Sequence, residues 1–154
     1  VVRMFNQLED DIDKMMNETA TRETFRIKGE STITVRDYQK GRKFEDALCY
    51  SFYPIDLHTK DGVVPKHLKR GVVPTIPRGA LIPKGSRNLM VAGRCLSSDR
   101  YANSAARVQA SCMGMGQAAA CTAVLAAKSS VTPQEVPLTK IHSLLRDHGA
   151  IVPA

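Results

Sequence analysis

Between Ala105 and Ala127 the sequence carries nine alanines and a single charge, Arg107. No proline interrupts this stretch, and alanine is the strongest helix former, so the composition predicts one long helix over about residues 104–128. Ser129, Ser130 and Pro133 supply its stop. Such a run is long enough to cross a bilayer. However, alanine and glycine offer little apolar surface, and Gln109, Ser111, Gln117 and Thr122 dilute it further. A buried helix is therefore expected, and no membrane span. Its small side chains let the backbone approach a sheet or a flat ligand closely. Tight helix–sheet packing with no ligand uses the same residues.

What precedes the helix gives it a setting. Residues 88–93, Asn-Leu-Met-Val-Ala-Gly, form a short apolar run of the kind expected for a strand buried on both faces. A polar loop over 94–103 follows. A strand closed by glycine, a loop and a helix start form the geometry of an anion or cofactor site, because the first helical N–H groups lack partners and the macrodipole is positive there. Arg94 and Arg107 bracket that helix start.

Elsewhere the pattern is mixed. Val1, Met4, Phe5, Leu8, Ile12, Met15 and Met16 recur at helical steps, predicting an amphipathic helix over 1–18. Residues 26–33 read as a β-like stretch. Thr34 can cap a brief helix, Val35 to Lys40, ended by Gly41, and a last helix is expected from Leu138 to Asp147 with Gly149 just beyond it. The aromatic-rich run 44–58 has strand character towards its end. Prolines and glycines at 65, 71, 74, 77, 79, 83 and 85 leave room only for short extended pieces and turns.

The net charge of +7 is concentrated. Residues 60–94 hold eight basic side chains against Asp61 alone, so this stretch accounts for the whole excess and raises the question of an anionic partner. Cys49, Cys95, Cys112 and Cys121 include no C-x-x-C pair and no zinc spacing, which favours free thiols in a reducing cytoplasm and predicts no metal site. No amino-terminal segment has the form of a secretory signal, in keeping with a cytoplasmic location. Asp56 and His58 lie two apart and would share a face of a strand, a pair suited to proton transfer or simply to a surface hydrogen bond. Arg22 and Arg26 suit either an anionic substrate or structural ion pairs.

Several segments together resemble a known family. These are Leu81-Ile82-Pro83, the run 88–97 (Asn-Leu-Met-Val-Ala-Gly-Arg-Cys-Leu-Ser), Ser104-Ala105-Ala106-Arg107-Val108 and Met115-Gly116-Gln117-Ala118-Ala119. Upstream, Arg22-Glu23-Thr24 with residues 26–30, then 41–47, then 53–58, agree in order and spacing. The pattern is similar to the carboxy-terminal part of FAD-dependent oxidoreductases, flavoproteins related in fold to the flavoprotein subunits of fumarate reductase and succinate dehydrogenase. The resemblance implies FAD and a small organic substrate. It places Gly93, Arg94 and Cys95 beside the ribityl and pyrophosphate region, and Ser104, Arg107 and Val108 near the pyrimidine edge of the flavin. Reduced flavin gathers negative charge at that edge, which a helix amino terminus and an arginine would stabilise. His58 and Arg107 are the candidate catalytic residues.

Two departures stand out. Ala120 occupies a position where many members have glycine, and no G-x-G-x-x-G occurs anywhere, so the strand–turn–helix that grips a dinucleotide is missing. The expected fold class is therefore α+β, a fragment. Residues 1–80 would belong to a substrate-side domain, 81–128 would supply the last strand and helix of an α/β FAD-binding domain, and 129–154 would form a helical tail. Such a chain should lack activity alone and retain FAD poorly. Two other classes use the same residues: a basic nucleic-acid-binding module built on 60–94, and a non-enzymatic oligomerisation fragment, a homo-oligomer. Against the first, the basic segment is almost free of aromatics for stacking and contains no reading helix, so no specific nucleic-acid binding is expected.

Overall fold

The computed structural model describes residues 25–59, 62–63 and 65–153. The helix expected over 1–18, and Arg22, lie outside these residues. Local capping signals set the first element. Helix α1, Val35–Lys40, begins at Thr34, whose hydroxyl accepts from the Asp37 N–H while the Asp37 carboxylate accepts from the Thr34 N–H. This reciprocal pairing satisfies donors that a helix start otherwise leaves open. Gly41, at φ 62°, ends the helix as the sequence predicts. Tyr38 on its inner face is fully buried.

The chain then makes two small antiparallel pairs. Strand β1, Ala47–Tyr50, pairs with β4, Thr75–Pro77, with Cys49 opposite Ile76 and an irregularity between Ala47 and Cys49. Strand β2, His58–Thr59, pairs with β3, Gly62–Val63. A 3-10 turn, Arg78–Leu81, follows β4. Three helices complete the described chain: α2, Arg100–Ala106; α3, Gln109–Ser129; and α4, Leu138–Asp147. One core joins the helices to the β1–β4 pair. Ile33, Tyr38, Leu48, Ile76, Leu81, Leu96, Met115, Ile141 and Leu145 belong to a single buried cluster, so segments before and after residue 80 share one interior. Helix α4 matches its expected bounds and packs on α3 and β1 rather than trailing free.

Two expectations are corrected. Residues 88–93 are not a strand. Among the described residues this segment pairs with no strand, and Val91 N–H donates to the Leu81 carbonyl as an isolated bond. Leu89 is 54% exposed, so burial on both faces is absent as well. A β-conformation is held by a ladder, and an apolar run with no neighbour to complete one stays irregular.

The second correction concerns the long helix. It is two helices broken at Arg107 and Val108, not one from Ser104 to Lys128. Arg107 closes α2, and Val108, with ψ 155°, opens α3. The cause lies upstream at Asp99. Its carboxylate accepts from Ala102 N–H at 2.8 Å and so starts α2 at Arg100, ahead of the alanine-rich run, rather than at Ser104. The same carboxylate accepts from Val35 N–H, so Asp99 caps the starts of α1 and α2 together. Ser104 therefore lies inside α2, buried, and the open helix start moves to residues 109–111. Replacing Asp99 with alanine should lower the unfolding free energy by about 2 kcal/mol, roughly twice the usual effect of losing one cap. Urea denaturation measures this, and a loss under about 0.5 kcal/mol would show that the two caps are dispensable.

Arg78, one of the eight basic residues of 60–94, is tied into the fold. Its guanidinium turns inward and donates to the Val136 carbonyl at 2.6 Å and the Pro133 carbonyl at 3.3 Å, tying the 3-10 turn to the α3–α4 connection. Burial lowers its pKa, and the nearby Asp46 opposes that shift.

Candidate functional site

The α2–α3 break brings most of the candidate residues to one place. Arg107 is the pivot. Its backbone ends α2, its carbonyl accepts from the Cys112 thiol at 3.2 Å, and its guanidinium donates to the Asp56 carbonyl at 3.2 Å. The same guanidinium stands 3.9 Å from the Asp56 carboxylate, and only 14% of the side chain is exposed. Asp56 is held from the other side as well, since its N–H donates to the Ser104 hydroxyl, which in turn donates to the Tyr101 carbonyl. His58, on β2, presents Nε2 3.5 Å from the Asp56 carboxylate. The two side chains do approach each other, but Asp56 lies ahead of β2 rather than in one strand with His58. Arg26, Arg100 and Asn103 join this group around a small cleft.

The remaining candidates sit on the far side of Arg107. Gly93 lies in a turn closed by Leu96 N–H to its carbonyl, with φ 85°, a conformation in which any other residue is strained. The Arg94 carbonyl accepts from Asn103 Nδ2 at 3.0 Å, which fixes the 94–103 loop against α2. The Cys95 thiol donates to the Ala92 carbonyl, and the Cys95 carbonyl accepts from Ile27 N–H. Val108 is the N-cap of α3 and offers no side-chain acceptor, so the first-turn N–H groups of 109–111 have no side-chain cap. Gln109 and Ala110 are exposed. Ser111, one turn in, is buried and joined through Ser51 to Tyr38 by hydroxyl bonds of 2.8 and 3.1 Å, which anchors the helix start to the core.

Sequence reasoning did not pick out Arg100 or Asn103. A signal existed for Arg100: a cation in the first turn of a helix opposes the macrodipole and is unfavourable without a local reason. The gathering of Arg26 with residues 56–58 and 100–107 is a long-range event that no spacing announces.

The thiols differ in character. Burial pushes Cys49 up to about 12, and it raises Cys112 too, where Arg94 and Arg107 pull the other way and Cys95 adds to the rise. A thiol near its ordinary value of about 8.5 when unfolded, and raised when folded, contributes stability that is complete below about pH 8.5 and is lost as pH climbs towards the folded value. The folded protein should therefore lose stability steadily above about pH 9. At pH near 8, iodoacetamide should label the half-exposed Cys95 well before Cys49, as read by peptide mass spectrometry. Equal labelling of the two would contradict the burial of Cys49.

An uncapped, positive helix start beside a glycine turn and two arginines suits a ligand with anionic or electron-rich edges. The family model described as FAD dependent oxidoreductase matches residues 5–145, most of the chain, and the chain belongs to that family. That family is one of flavoprotein oxidoreductases, and FAD is the cofactor it implies. No curated protein and no solved structure matches the chain significantly.

The residues present fit one portion of FAD. The first-turn N–H groups of 109–111, with Arg107 close by, are compatible with an electron-rich group such as an edge of a flavin, and no G-x-G-x-x-G occurs in the sequence.

Proposed function

We propose that this chain is the carboxy-terminal part of a flavoprotein oxidoreductase, related in fold to fumarate reductase and succinate dehydrogenase flavoproteins, and that it supplies one wall of the FAD site. The observation that carries the proposal is the start of α3, which has no side-chain cap, has exposed first residues and is flanked by Arg107. When bound, FAD supplies hydride or electron transfer to or from an organic substrate. The chain's own residues hold and polarise. The α3 start and Arg107 present positive charge, Gly93 and the 94–95 backbone border the cofactor, and Val108 sets the helix direction. Ser104 acts indirectly by fixing Asp56. Asp56 orients His58 through Nε2, and the imidazole holds or releases a proton at its other nitrogen on the substrate side.

The open face of α3 supports the same reading. Among the described residues α3 is the one helix long and apolar enough to cross a membrane, yet only 33% of its most apolar window is buried. One face packs on β1 and α4, while Met113 and Val124 stay exposed at 69% and 47%. In this reading the rest of an FAD-binding domain covers that face, residues 81–128 belong to that domain, and residues before 81 belong to the substrate side. Four free thiols suit a cytoplasmic setting.

The experiment is purification of this chain followed by titration with FAD. It should emerge colourless and bind FAD only weakly, because the nucleotide grip is missing. A yellow preparation holding stoichiometric flavin would overturn the account of an incomplete site.

A further inference from the structure

We propose that Cys95 and Cys112 form a thiol–disulfide exchange site, which a low-molecular-weight disulfide converts to an intramolecular bridge joining the 93–96 turn to the first turn of α3. The chemistry stands without a flavin. Only its consequence, that the bridge ties together two parts of the proposed cofactor wall, rests on the oxidoreductase reading.

The four thiols divide into two pairs by their surroundings. Cys49 and Cys121 are 7% and 9% exposed and belong to the core, whereas Cys95 and Cys112 are half-buried and open to a small reagent. Those two meet at one turn. The Leu96 N–H and the Gly93 carbonyl close it, with Cys95 inside. Cys112 packs on the same turn from α3, since a Cβ built on Gly93 would lie 3.7 Å from its Sγ and 3.9 Å from its Cβ. The Cys95 thiol donates to the Ala92 carbonyl, next to Gly93, at 3.5 Å, and the Cys112 thiol donates to the Arg107 carbonyl at 3.2 Å. An S–H group is a weak donor, so these contacts place the sulfurs without committing them. Burial is the main cause of the raised Cys112 pKa; Arg94 pulls it down, Cys95 pushes it up and Arg107 pulls it down. The influence of one thiol on the other marks them as neighbours, and nearby guanidinium groups favour the thiolate that attacks a disulfide.

The step balances as an exchange. The Cys95 thiolate attacks one sulfur of the small disulfide, whose S–S bond breaks; a mixed disulfide forms and one small thiolate leaves. The Cys112 thiolate then attacks the Cys95 sulfur, forming the Cys95–Cys112 bond and releasing the second small thiolate. The two protein thiols are oxidised and the reagent is reduced to two thiols, which take up the protons the cysteines lose. Excess small thiol reverses both steps, which suits a reversible site in a reducing compartment.

The test incubates the reduced 154-residue chain, without flavin, with oxidised glutathione. The intact mass should fall by two hydrogen atoms with no glutathione retained, and peptide mapping without reductant should join Cys95 to Cys112. Trypsin leaves Cys112 and Cys121 on one peptide, so Cys121→Ala is mapped in parallel and should close the same bridge. In Cys112→Ser the reaction should halt at the mixed disulfide, with glutathione held on Cys95. The same mapping in urea gives the pairing of the unfolded chain, and the Cys95–Cys112 bridge should take a larger share when the chain is folded. Glutathione retained on both cysteines, a bridge from Cys95 to Cys49 or Cys121, an unchanged share in urea, or no reaction at either thiol overturns the proposal. Because flavin takes no part, each of those results leaves the cofactor wall standing. The FAD titration fails or succeeds independently.

Discussion

Replacing Gly29 with alanine should cost about 3 kcal/mol of stability, at the upper end of what overpacking a buried site produces. A Cβ at Gly29 would lie 2.7 Å from the Gly79 carbonyl oxygen, 2.7 Å from Ser97 Cβ and 2.8 Å from the Ser31 carbonyl oxygen. Two of those three atoms are backbone, and the surrounding stretches of chain are tied together. Glu30 N–H bonds to the Ile82 carbonyl, Ser31 N–H to the Gly79 carbonyl, and Ser97 N–H to the Ala80 carbonyl. Relief would require breaking one of these links. This crossing positions the loop that carries Arg94 and Cys95, so its loss would disturb the candidate site as well. Gly114→Ala supplies the contrast. Its added Cβ would meet Cys49 at an ordinary 3.7 Å, and alanine favours a helix interior, so that variant should be neutral or slightly stabilised. Urea unfolding of both variants measures the difference. Similar stabilities would show that the close crossing at Gly29 does not exist.

The second large effect is functional. In an enzyme carrying this segment together with a dinucleotide-gripping half, Arg107→Ala should reduce flavin retention or the rate of flavin reduction by about tenfold or more. A charge that stabilises reduced flavin across a partly desolvated gap contributes on the order of 1–2 kcal/mol. Arg107 also holds the Asp56 carbonyl and stands beside the carboxylate, so its removal loosens the His58 side of the site. Arg94→Ala should have a smaller effect, because its backbone carbonyl, which bonds to Asn103, remains in place. Flavin content and stopped-flow reduction separate retention from reactivity. Unchanged values for both variants would count against the roles assigned to them.

How far the sequence can be read depends on how local each determinant is. Helix α1 is legible to the residue because Thr34, Asp37 and Gly41 act within a turn of the backbone they cap. Helix α4 is equally legible from its apolar spacing, with Gly149 at φ 77° just past its end. Residues 88–93 mislead because a strand depends on neighbours, which an apolar run does not reveal. The division of the alanine-rich segment is hidden for another reason. Alanine is content on either side of a helix break, so Asp99 and the Arg107–Val108 turn decide the boundary. Of the site, the nearness of Asp56 and His58 is suggested by their two-residue spacing, although Asp56 lies ahead of β2 and not in a shared strand. The approach of Arg107 to Asp56 spans 51 positions and emerges only from the packing of α2 against the 56–58 segment.

The cofactor wall can be tested by mapping where a flavin ring touches this chain. Backbone amide NMR during titration with FMN, which carries the ring without the adenylate, reads each position separately. The shifts should be small but saturable and should gather at Gly93, Arg94 and the amides of 109–111. Saturable shifts elsewhere, on the β2–β3 pair or on residues 66–70, with 109–111 unmoved, would contradict the assignment of the flavin to the start of α3.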